Sequence, residues 1–386
     1  MTAFAHHAAA CALAAAVYLV VSRWRRESRQ HTPLPVCMRV VIARQSRCQV
    51  EAVWTLPYYA DKDLLIRVRA TAVNRLDTMQ RKGKMPPPKG VTEVLGLEVA
   101  GEVVRMGAAA AASGRFRIGD QVLALVAGGG YAEYVAVPTS TVLHKPRELS
   151  WEAAASIPEA WLTAFKLLHM VGNVRTGETV LIHAAASGVG LAAVQMAVAA
   201  GARVIVTVGS QSKLALCKRL GAAGGAVRHD GPWAASVATL AGEGGVNLVL
   251  DCVAGNYAEQ NLEVLAIDGR WLLYSALSGP ALPPPLGESF LGALMKKRVS
   301  LLASTLRTRP EAFKAELVAR FGKEVLPRIA GGTFEHVIDR IFQGGLKEAQ
   351  EAHEYMESNA NAGKIVLTNM FEDDMLIELP TGPIPE

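Results

Sequence analysis

The sequence predicts an α/β fold in which a β-rich segment precedes a doubly wound parallel sheet. Residues 38–137 contain several short apolar runs separated by glycine turns, a pattern typical of a β-rich domain. From residue 179 to residue 304, short apolar runs alternate with helical lengths, as in a doubly wound domain. A segment at residues 363–368 with the apolar core Ile365-Val366-Leu367 follows a mostly helical stretch at residues 311–356 and predicts a final strand.

Two segments of the β-rich part are interpreted as loops. The three consecutive prolines at residues 86–88 fit neither a helix interior nor a strand ladder. The alanine run at residues 108–112, followed by Ser113 and Gly114, is interpreted as an insertion-like loop.

Composition and charge limit the possible functions. With 386 residues, 51% of them hydrophobic and 19% charged, the chain is long enough for two domains and too apolar to be disordered. The net charge of +5 suits an anionic cofactor, but the basic and aromatic residues do not alternate as in a nucleic-acid-binding protein. The five cysteines include no CxxC pair, which predicts reduced thiols, a cytoplasmic location and no zinc cluster.

The N-terminal segment, residues 1–37, has three interpretations. Residues 8–21 form a continuous apolar run that is followed by the cluster Arg23-Trp24-Arg25-Arg26. This run is shorter than the roughly twenty residues that a membrane-spanning helix needs. The segment is therefore a weak membrane anchor, an organellar targeting leader, or upstream sequence that the fold does not need.

A glycine motif in residues 179–213 predicts nucleotide binding. A buried-type strand runs into Ser187-Gly188-Val189-Gly190, and a helix and a second β-branched strand follow. Glycines let the backbone approach a pyrophosphate, and the N-terminus of the helix offers unpaired N–H groups to it. A tight strand–helix turn without a ligand is the alternative interpretation.

The end of the second strand favours NADPH over NADH. The segment Gly209-Ser210-Gln211-Ser212-Lys213 contains no acidic residue to bind the ribose hydroxyls, and Lys213 is a candidate partner for a 2′-phosphate. Alternatively, Lys213 is an ordinary solvated lysine of the next helix.

Several segments together resemble one known family. These segments are residues 72–81, 95–98, 157–165, 168–174, 181–190, 268–271 and 363–367. They are similar to the zinc-free medium-chain dehydrogenase/reductases of the quinone oxidoreductase (zeta-crystallin-like) group, and most similar to the tumour-suppressor-inducible branch. The resemblance implies a homodimer and a GroES-like catalytic domain that is interrupted by a Rossmann domain.

The domain boundaries follow from this resemblance. The expected parts are a leader (1–37), a GroES-like domain (38–158), a Rossmann NADPH-binding domain (159–301), the C-terminal part of the catalytic domain (302–370) and an acidic tail (371–386).

The resemblance also predicts that no metal is bound. Asn74 stands where zinc-dependent relatives have a cysteine, and Gly96-Leu97-Glu98 stands where they have Gly-His-Glu. A zinc site needs at least three converging ligands. Because Asn74 and Leu97 replace the cysteine and the histidine, two of the expected ligands are absent, which argues against zinc.

Three residues are expected to serve catalysis. Asn74 would lie beside the nicotinamide ribose and the substrate, although a helix cap is an equal alternative. Asp77 is a candidate whose structural role is favoured. Met85 replaces a tyrosine of many relatives and leaves an apolar wall with no proton donor, which predicts a shifted substrate range.

The resemblance and the motif together give a set of cofactor-binding residues. Thr163 could instead bond within its own helix turn, and Arg228 could be simply exposed. The expected contacts are Asn74, Thr163, Ser187, Gly188, Val189, Gly190, Gly209, Ser210, Lys213, Arg228, Leu277, Asn361 and Lys364.

The predicted activity is a zinc-independent, NADPH-dependent reduction of quinones. Without a Lewis acid, an electrophilic acceptor needs less help than an alcohol, because its ring or enolate absorbs the charge. Reduction of enoyl or 2-alkenal substrates is one alternative. An NADPH-sensing, RNA-binding or structural protein with little catalysis is another.

Overall fold

The computed structural model describes residues 34–35, 37–284, 286–368 and 370, apart from the side chains of Val53, Trp54 and Glu288. Its strands are β1 (Cys37–Arg44), β2 (Arg47–Thr55), β3 (Asp63–Val73), β4 (Glu98–Met106), β5 (Gln121–Leu125), β6 (Tyr134–Pro138), β7 (Val142–His144), β8 (Thr179–Ile182), β9 (Arg203–Val208), β10 (Gly224–Val227), β11 (Val246–Asp251), β12 (Leu265–Leu273), β13 (Ser300–Ala303), β14 (Ile338–Phe342) and β15 (Lys364–Thr368).

Helices alternate with the later strands. The α-helices are α1 (Arg75–Arg81), α2 (Ala108–Ala112), α3 (Trp151–Ala155), α4 (Pro158–Phe165), α5 (Gly188–Ala199), α6 (Gln211–Arg219), α7 (Ala234–Ala241), α8 (Ala258–Val264), α9 (Leu286–Lys297), α10 (Glu311–Glu324), α11 (Leu326–Ala330) and α12 (Ala349–Glu357). A π-helix, Lys166–Val171, continues α4.

The β-rich part forms a seven-stranded, mostly antiparallel sheet. Its order is β14-β15-β3-β4-β5-β7, and β6 pairs with β3 outside this path. The hairpin of β1 and β2 lies beside it, joined through an isolated bridge between Val40 and Ala132. The last strand, β15, pairs antiparallel with β3, so the C-terminal segment completes the N-terminal sheet.

The central part forms a six-stranded parallel sheet in the order β10-β9-β8-β11-β12-β13. All four residues of β8 are buried, as expected for a parallel strand covered by helices on both faces. The strand order reverses between β8 and β11, and ligands of doubly wound sheets bind at the carboxyl ends of strands at such a point. The predicted doubly wound sheet is therefore confirmed.

The turn between β8 and α5 requires glycine. A Cβ atom on Gly190 would lie 2.5 Å from the Cα of Ala185, closer than real atoms approach. Ser187 caps the helix, and its Oγ accepts a hydrogen bond from the N–H of Gly190 at 3.1 Å. Ser187 also bridges to Gly363 next to β15, which brings the turn against the antiparallel sheet.

One sequence expectation was wrong, and two strands were not anticipated. The alanine run forms the helix α2 rather than a loop, because alanine has the highest helix propensity and Gly107 starts the helix in an extended conformation. The helical stretch at 311–356 contains the strand β14, whose mostly exposed residues lack an apolar alternation. The strand β2 was not anticipated.

No helix within the described residues is long and apolar enough to cross a membrane. The apolar run at residues 8–21 and the acidic tail at 371–386 lie outside the described residues.

Candidate active site

A buried ion pair joins three elements of the antiparallel sheet. The Nζ atom of Lys364, the first residue of β15, donates to Oε1 of Glu98 on β4 at 2.7 Å. The same ammonium donates to Oδ1 of Asn74 at 2.8 Å and to the carbonyl oxygen of Val73 at 3.1 Å. The Lys364 and Glu98 side chains are 5% and 0% exposed, so these hydrogen bonds compensate the desolvation of both charges. We call Asn74, Glu98 and Lys364 the Lys364 cluster.

Asn74 serves both as a helix start and as a member of this cluster. Its backbone is extended (φ −127°, ψ 154°) and precedes α1, and its N–H donates to Oδ2 of Asp77 at 2.8 Å. Its side-chain Nδ2 donates to Oε1 of Glu98 at 2.8 Å. The Asp77 carboxylate thus caps the Asn74 N–H, and the Asn74 amide group is held toward Lys364.

Asp77 supports Asn74 from behind. Its carboxylate accepts further hydrogen bonds from the N–H of Gly96 at 3.3 Å and from the hydroxyl of Tyr131 at 3.4 Å. Burial raises the pKa of Asp77 to about 7. Asp77 is only 1% exposed. Its catalytic role stays a prediction.

A buried histidine extends the group behind Asp77. Nε2 of His353 lies 3.1 Å from the Tyr131 hydroxyl. Burial lowers the pKa of His353 to about 3, which keeps the ring neutral.

The Lys364 cluster lies directly against the glycine turn. A Cβ atom on Gly188 would lie 2.5 Å from Cδ of Lys364, so the lysine stem crosses the first residue of α5. The N–H of Gly363 donates to the carbonyl oxygen of Ala186 at 2.9 Å, and Nδ2 of Asn361 donates to the carbonyl oxygen of Gly363 at 3.0 Å. The predicted residues of the turn, Asn74, Asn361 and Lys364 therefore come together at one place.

A second group of predicted residues gathers after β9. Oγ of Ser210, the cap of α6, accepts from the N–H of Lys213 at 3.3 Å. A Cβ on Gly209 would lie 3.7 Å from Nε of Arg228, so this guanidinium borders the loop. Nζ of Lys213 donates to the carbonyl oxygen of Asn359 at 2.7 Å. Burial lowers the pKa of Lys213; the charge of Asp339 opposes this shift, and that of Arg228 adds to it.

The remaining predicted residues are less closely placed. Thr163 lies within α4 and is 8% exposed. Leu277 is 47% exposed, and its N–H donates to the carbonyl oxygen of Cys252 at 3.0 Å. Met85 is 41% exposed in the loop after α1, and its N–H lies 3.4 Å from the carbonyl oxygen of Met79. Their described contacts do not join either group.

Two residues of the site were missed by sequence reasoning. Glu98 was considered only as a remnant of a metal motif, although an acidic residue inside an apolar strand is itself a signal. Oε2 of Glu98 accepts from the N–H of Glu159 at the start of α4 at 2.8 Å. Burial and the charge of Glu98 raise the pKa of Glu159 to about 7.

Within the described residues, no three His, Cys, Asp or Glu side chains converge closely enough to hold a metal ion. Asn74 Nδ2 and Lys364 Nζ both donate to Glu98 Oε1, where a cation would have to compete with them.

Two family models match the chain. The model described as the alcohol dehydrogenase GroES-like domain matches residues 60–147, and the one described as zinc-binding dehydrogenase matches residues 188–323. With the sheet topologies, these matches confirm a GroES-like domain and a Rossmann domain.

Individual relatives resemble most of the chain. This chain is 31% identical over 312 residues to a probable quinone oxidoreductase of Schizosaccharomyces pombe, and the matched region covers 81% of this chain and 90% of that protein. It is 31% identical over 335 residues to a highly reducing polyketide synthase of Aspergillus terreus, covering 83% of this chain but 12% of that protein. The crystal structure of the Escherichia coli quinone oxidoreductase with NADPH has a TM-score of 0.74 and 27% identity, covering 86% of this chain and 99% of that chain.

The raised pKa of Glu159 predicts a pH dependence of stability. The folded chain keeps a proton on Glu159 up to a pKa of about 7, whereas the unfolded chain releases it near 4.5. The free energy of unfolding should therefore fall as the pH rises from about 5 to about 8, by at most about 1.4 kcal/mol per pH unit for this group. We expect Glu159→Gln to make this decline shallower. Urea denaturation at about pH 5 and at about pH 8 would measure the free energy of unfolding of both proteins.

Glu335→Gln is the matched control, because its hydrogen bond with Arg219 lowers the pKa of Glu335 and leaves it ionised in this pH range. Equal pH slopes for the wild type and Glu159→Gln would contradict the assignment.

Proposed function

Because the chain belongs to the medium-chain dehydrogenase/reductase family, we propose that this oxidoreductase reduces quinones with NADPH and without a bound zinc ion. The observation that carries the proposal is the Lys364 cluster, which holds an amide and an ammonium against the glycine turn. The similarity to quinone oxidoreductases supports the choice of acceptor. Membership of the tumour-suppressor-inducible branch stays a prediction.

The residues at the turn fit a nicotinamide dinucleotide. The helix α5 begins at the glycine turn, and the unpaired N–H groups at a helix N-terminus are a ready partner for a pyrophosphate. When bound, the cofactor supplies the hydride. Lys364 is fully engaged with Glu98, Asn74 and Val73. Asn74, fixed in turn by Glu98 and Asp77, would orient the nicotinamide side.

The same residues do not fit zinc. Glu98 Oε1 accepts two hydrogen bonds from Asn74 and Lys364, and its Oε2 accepts one from the Glu159 backbone. Asn74 and Leu97 replace the other two ligands of the zinc-dependent pattern. The proposed reaction therefore includes no metal-dependent step.

The preference for NADPH rests on the group after β9. Lys213 and Arg228 bring two positive charges near Ser210, the cap of α6, and neither Gly209 nor Ser210 offers a carboxylate to the ribose. Lys213 would have to exchange its bond with the Asn359 carbonyl for the 2′-phosphate.

An enoyl or 2-alkenal reductase is the second candidate. Its support is the similarity to a segment of a highly reducing polyketide synthase over 83% of this chain.

The expected homodimer is supported by β13, which lies at the edge of the parallel sheet, and by the exposed Leu291 and Met295 on α9. Light scattering of the purified protein would check it. The RNA-binding alternative, the cytoplasmic location and membrane association through residues 8–21 stay predictions.

Stopped-flow oxidation of NADPH separates the two candidate activities. We expect faster turnover with 1,2-naphthoquinone than with a 2-alkenal, because the quinone ring takes up the charge of the hydride more readily. Met85→Tyr in the same assay should raise kcat/KM for quinones if the apolar wall limits turnover. The reverse order of acceptors would favour the enoyl-type reductase, and an unchanged Met85→Tyr variant would remove the role of Met85.

Cofactor preference is tested by fluorescence titration with NADPH and NADH. Lys213→Met should weaken NADPH binding by about tenfold and leave NADH binding unchanged, because a charge-assisted hydrogen bond contributes about 1.5–3 kcal/mol. Lys218→Met, an exposed lysine of the same helix, is the control. Equal wild-type affinity for the two cofactors would contradict the argument.

A further inference from the structure

A short loop joins α12 to β15 and contacts both domains. It consists of residues 358–363, and we call it the 358–363 loop. The carbonyl oxygen of Asn359 accepts a hydrogen bond from Nζ of Lys213 on α6 at 2.7 Å. The side-chain Oδ1 of Asn359 accepts a hydrogen bond from Nη2 of Arg75 on α1 at 2.7 Å. A single residue of the loop is therefore held by one cation of the Rossmann domain and by one cation of the GroES-like domain.

The two halves of this loop are held in different ways. In the second half, the N–H of Ala362 donates to Oδ1 of Asp339 on β14 at 2.9 Å, and the N–H of Gly363 donates to the carbonyl oxygen of Ala186 at 2.9 Å. In the first half, residues 358–360 are exposed and bury little apolar surface. A segment with few buried apolar contacts opens at a low cost in free energy. The hydrogen bonds from the two cations therefore decide whether the first half stays attached.

The 358–363 loop connects the same two places as the adenosine part of a dinucleotide. Gly363 contacts the turn between β8 and α5, and Asn359 contacts α6, which follows β9. The strands β8 and β9 are parallel neighbours. In a dinucleotide-binding domain, the pyrophosphate lies at the first of these turns and the adenosine ribose at the end of the next strand. A dinucleotide bound there would therefore pass beside the loop, between its two points of attachment.

We propose that residues 358–361 close over the adenosine part of the bound dinucleotide and control its entry and release, with Arg75 as the residue that positions them. This inference rests on the proposed function, because it takes NADPH as the ligand. In the free chain, Lys213 and Arg75 both hold the loop. When the 2′-phosphate takes over Lys213, Arg75 continues to hold it. The hydrogen bond from Arg75 therefore stabilises the closed loop in both the free and the bound state.

The surroundings of Arg75 suit this role. Its Nη2 also donates to the carbonyl oxygen of Met356, a buried residue in the last turn of α12, at 3.0 Å. The guanidinium therefore joins the end of this helix to the loop that follows it. Because Arg75 comes directly after Asn74, a change of activity alone would not separate the loop from the Lys364 cluster. The rates of cofactor exchange separate them.

Stopped-flow fluorescence with NADPH compares Arg75→Met with the wild type, both as full-length protein. We expect the association and dissociation rate constants both to rise by about tenfold, because losing one charge-assisted hydrogen bond makes opening easier by about that factor. The Kd for NADPH should stay within about twofold, because the free and bound states lose the same bond. In the variant without cofactor, hydrogen exchange at the backbone amides of residues 358–361 should be about tenfold faster.

Two further variants separate this role from folding and from a general loss of charge. Asn359→Gly removes the acceptor of Arg75 at an exposed position whose φ of +56° suits glycine, so it should raise both rate constants as Arg75→Met does. Lys82→Met is the matched control, because this exposed lysine at the end of α1 pairs with Glu357 rather than with the loop. Its rate constants should equal those of the wild type.

Unchanged rate constants in Asn359→Gly, or in a folded Arg75→Met protein, would overturn the proposal. A rise of the dissociation rate constant alone would also overturn it, because Arg75 would then contribute to affinity rather than to opening. A wild-type protein that binds no NADPH at millimolar concentration would instead refute the proposed function, and this inference with it.

Discussion

The buried ion pair between Lys364 and Glu98 is the interaction on which the rest of the site depends. Two charges taken out of water are tolerated only when their polar atoms are satisfied, and here they are. Lys364 donates to Glu98, Asn74 and Val73, and Glu98 accepts from Asn74 and from the backbone of Glu159. The pair thereby fixes the starts of α1 and α4 and lies against the turn that begins α5.

The charges of this region form one arrangement. The charge of Lys364 is balanced by Glu98, and the nearby carboxyls of Asp77 and Glu159 have pKa values raised to about 7 by burial. Tyr131 and His353, which lie behind Asp77, are held neutral. The ion pair and the raised pKa values of these carboxyls thus keep a large net negative charge, which would repel an anionic dinucleotide, out of the site.

The features that sequence predicted well are local. The turn at Ser187–Gly190 follows from a glycine that only fits beside Ala185 and from strands on both sides of it. The alternation of strands and helices similarly predicted the doubly wound sheet. The alanine run was misread because its insertion-like composition was given more weight than its high helix propensity.

The features that sequence missed depend on distant contacts. Glu98 and Lys364 are 266 residues apart, so no spacing rule joins them, and Lys364 was expected only from the family resemblance. The strand β14 lies at a sheet edge with most residues exposed, which removes the alternation that would reveal it.

A double-mutant cycle on the buried pair tests the central claim most directly. The free energy of unfolding and the NADPH affinity would be measured for Glu98→Gln, Lys364→Met and the double variant. The account predicts that each single change lowers the free energy of unfolding by about 3–5 kcal/mol, because it leaves an uncompensated buried charge. It also predicts that the double variant loses less than the sum. Strictly additive losses, or single variants as stable as the wild type, would contradict it.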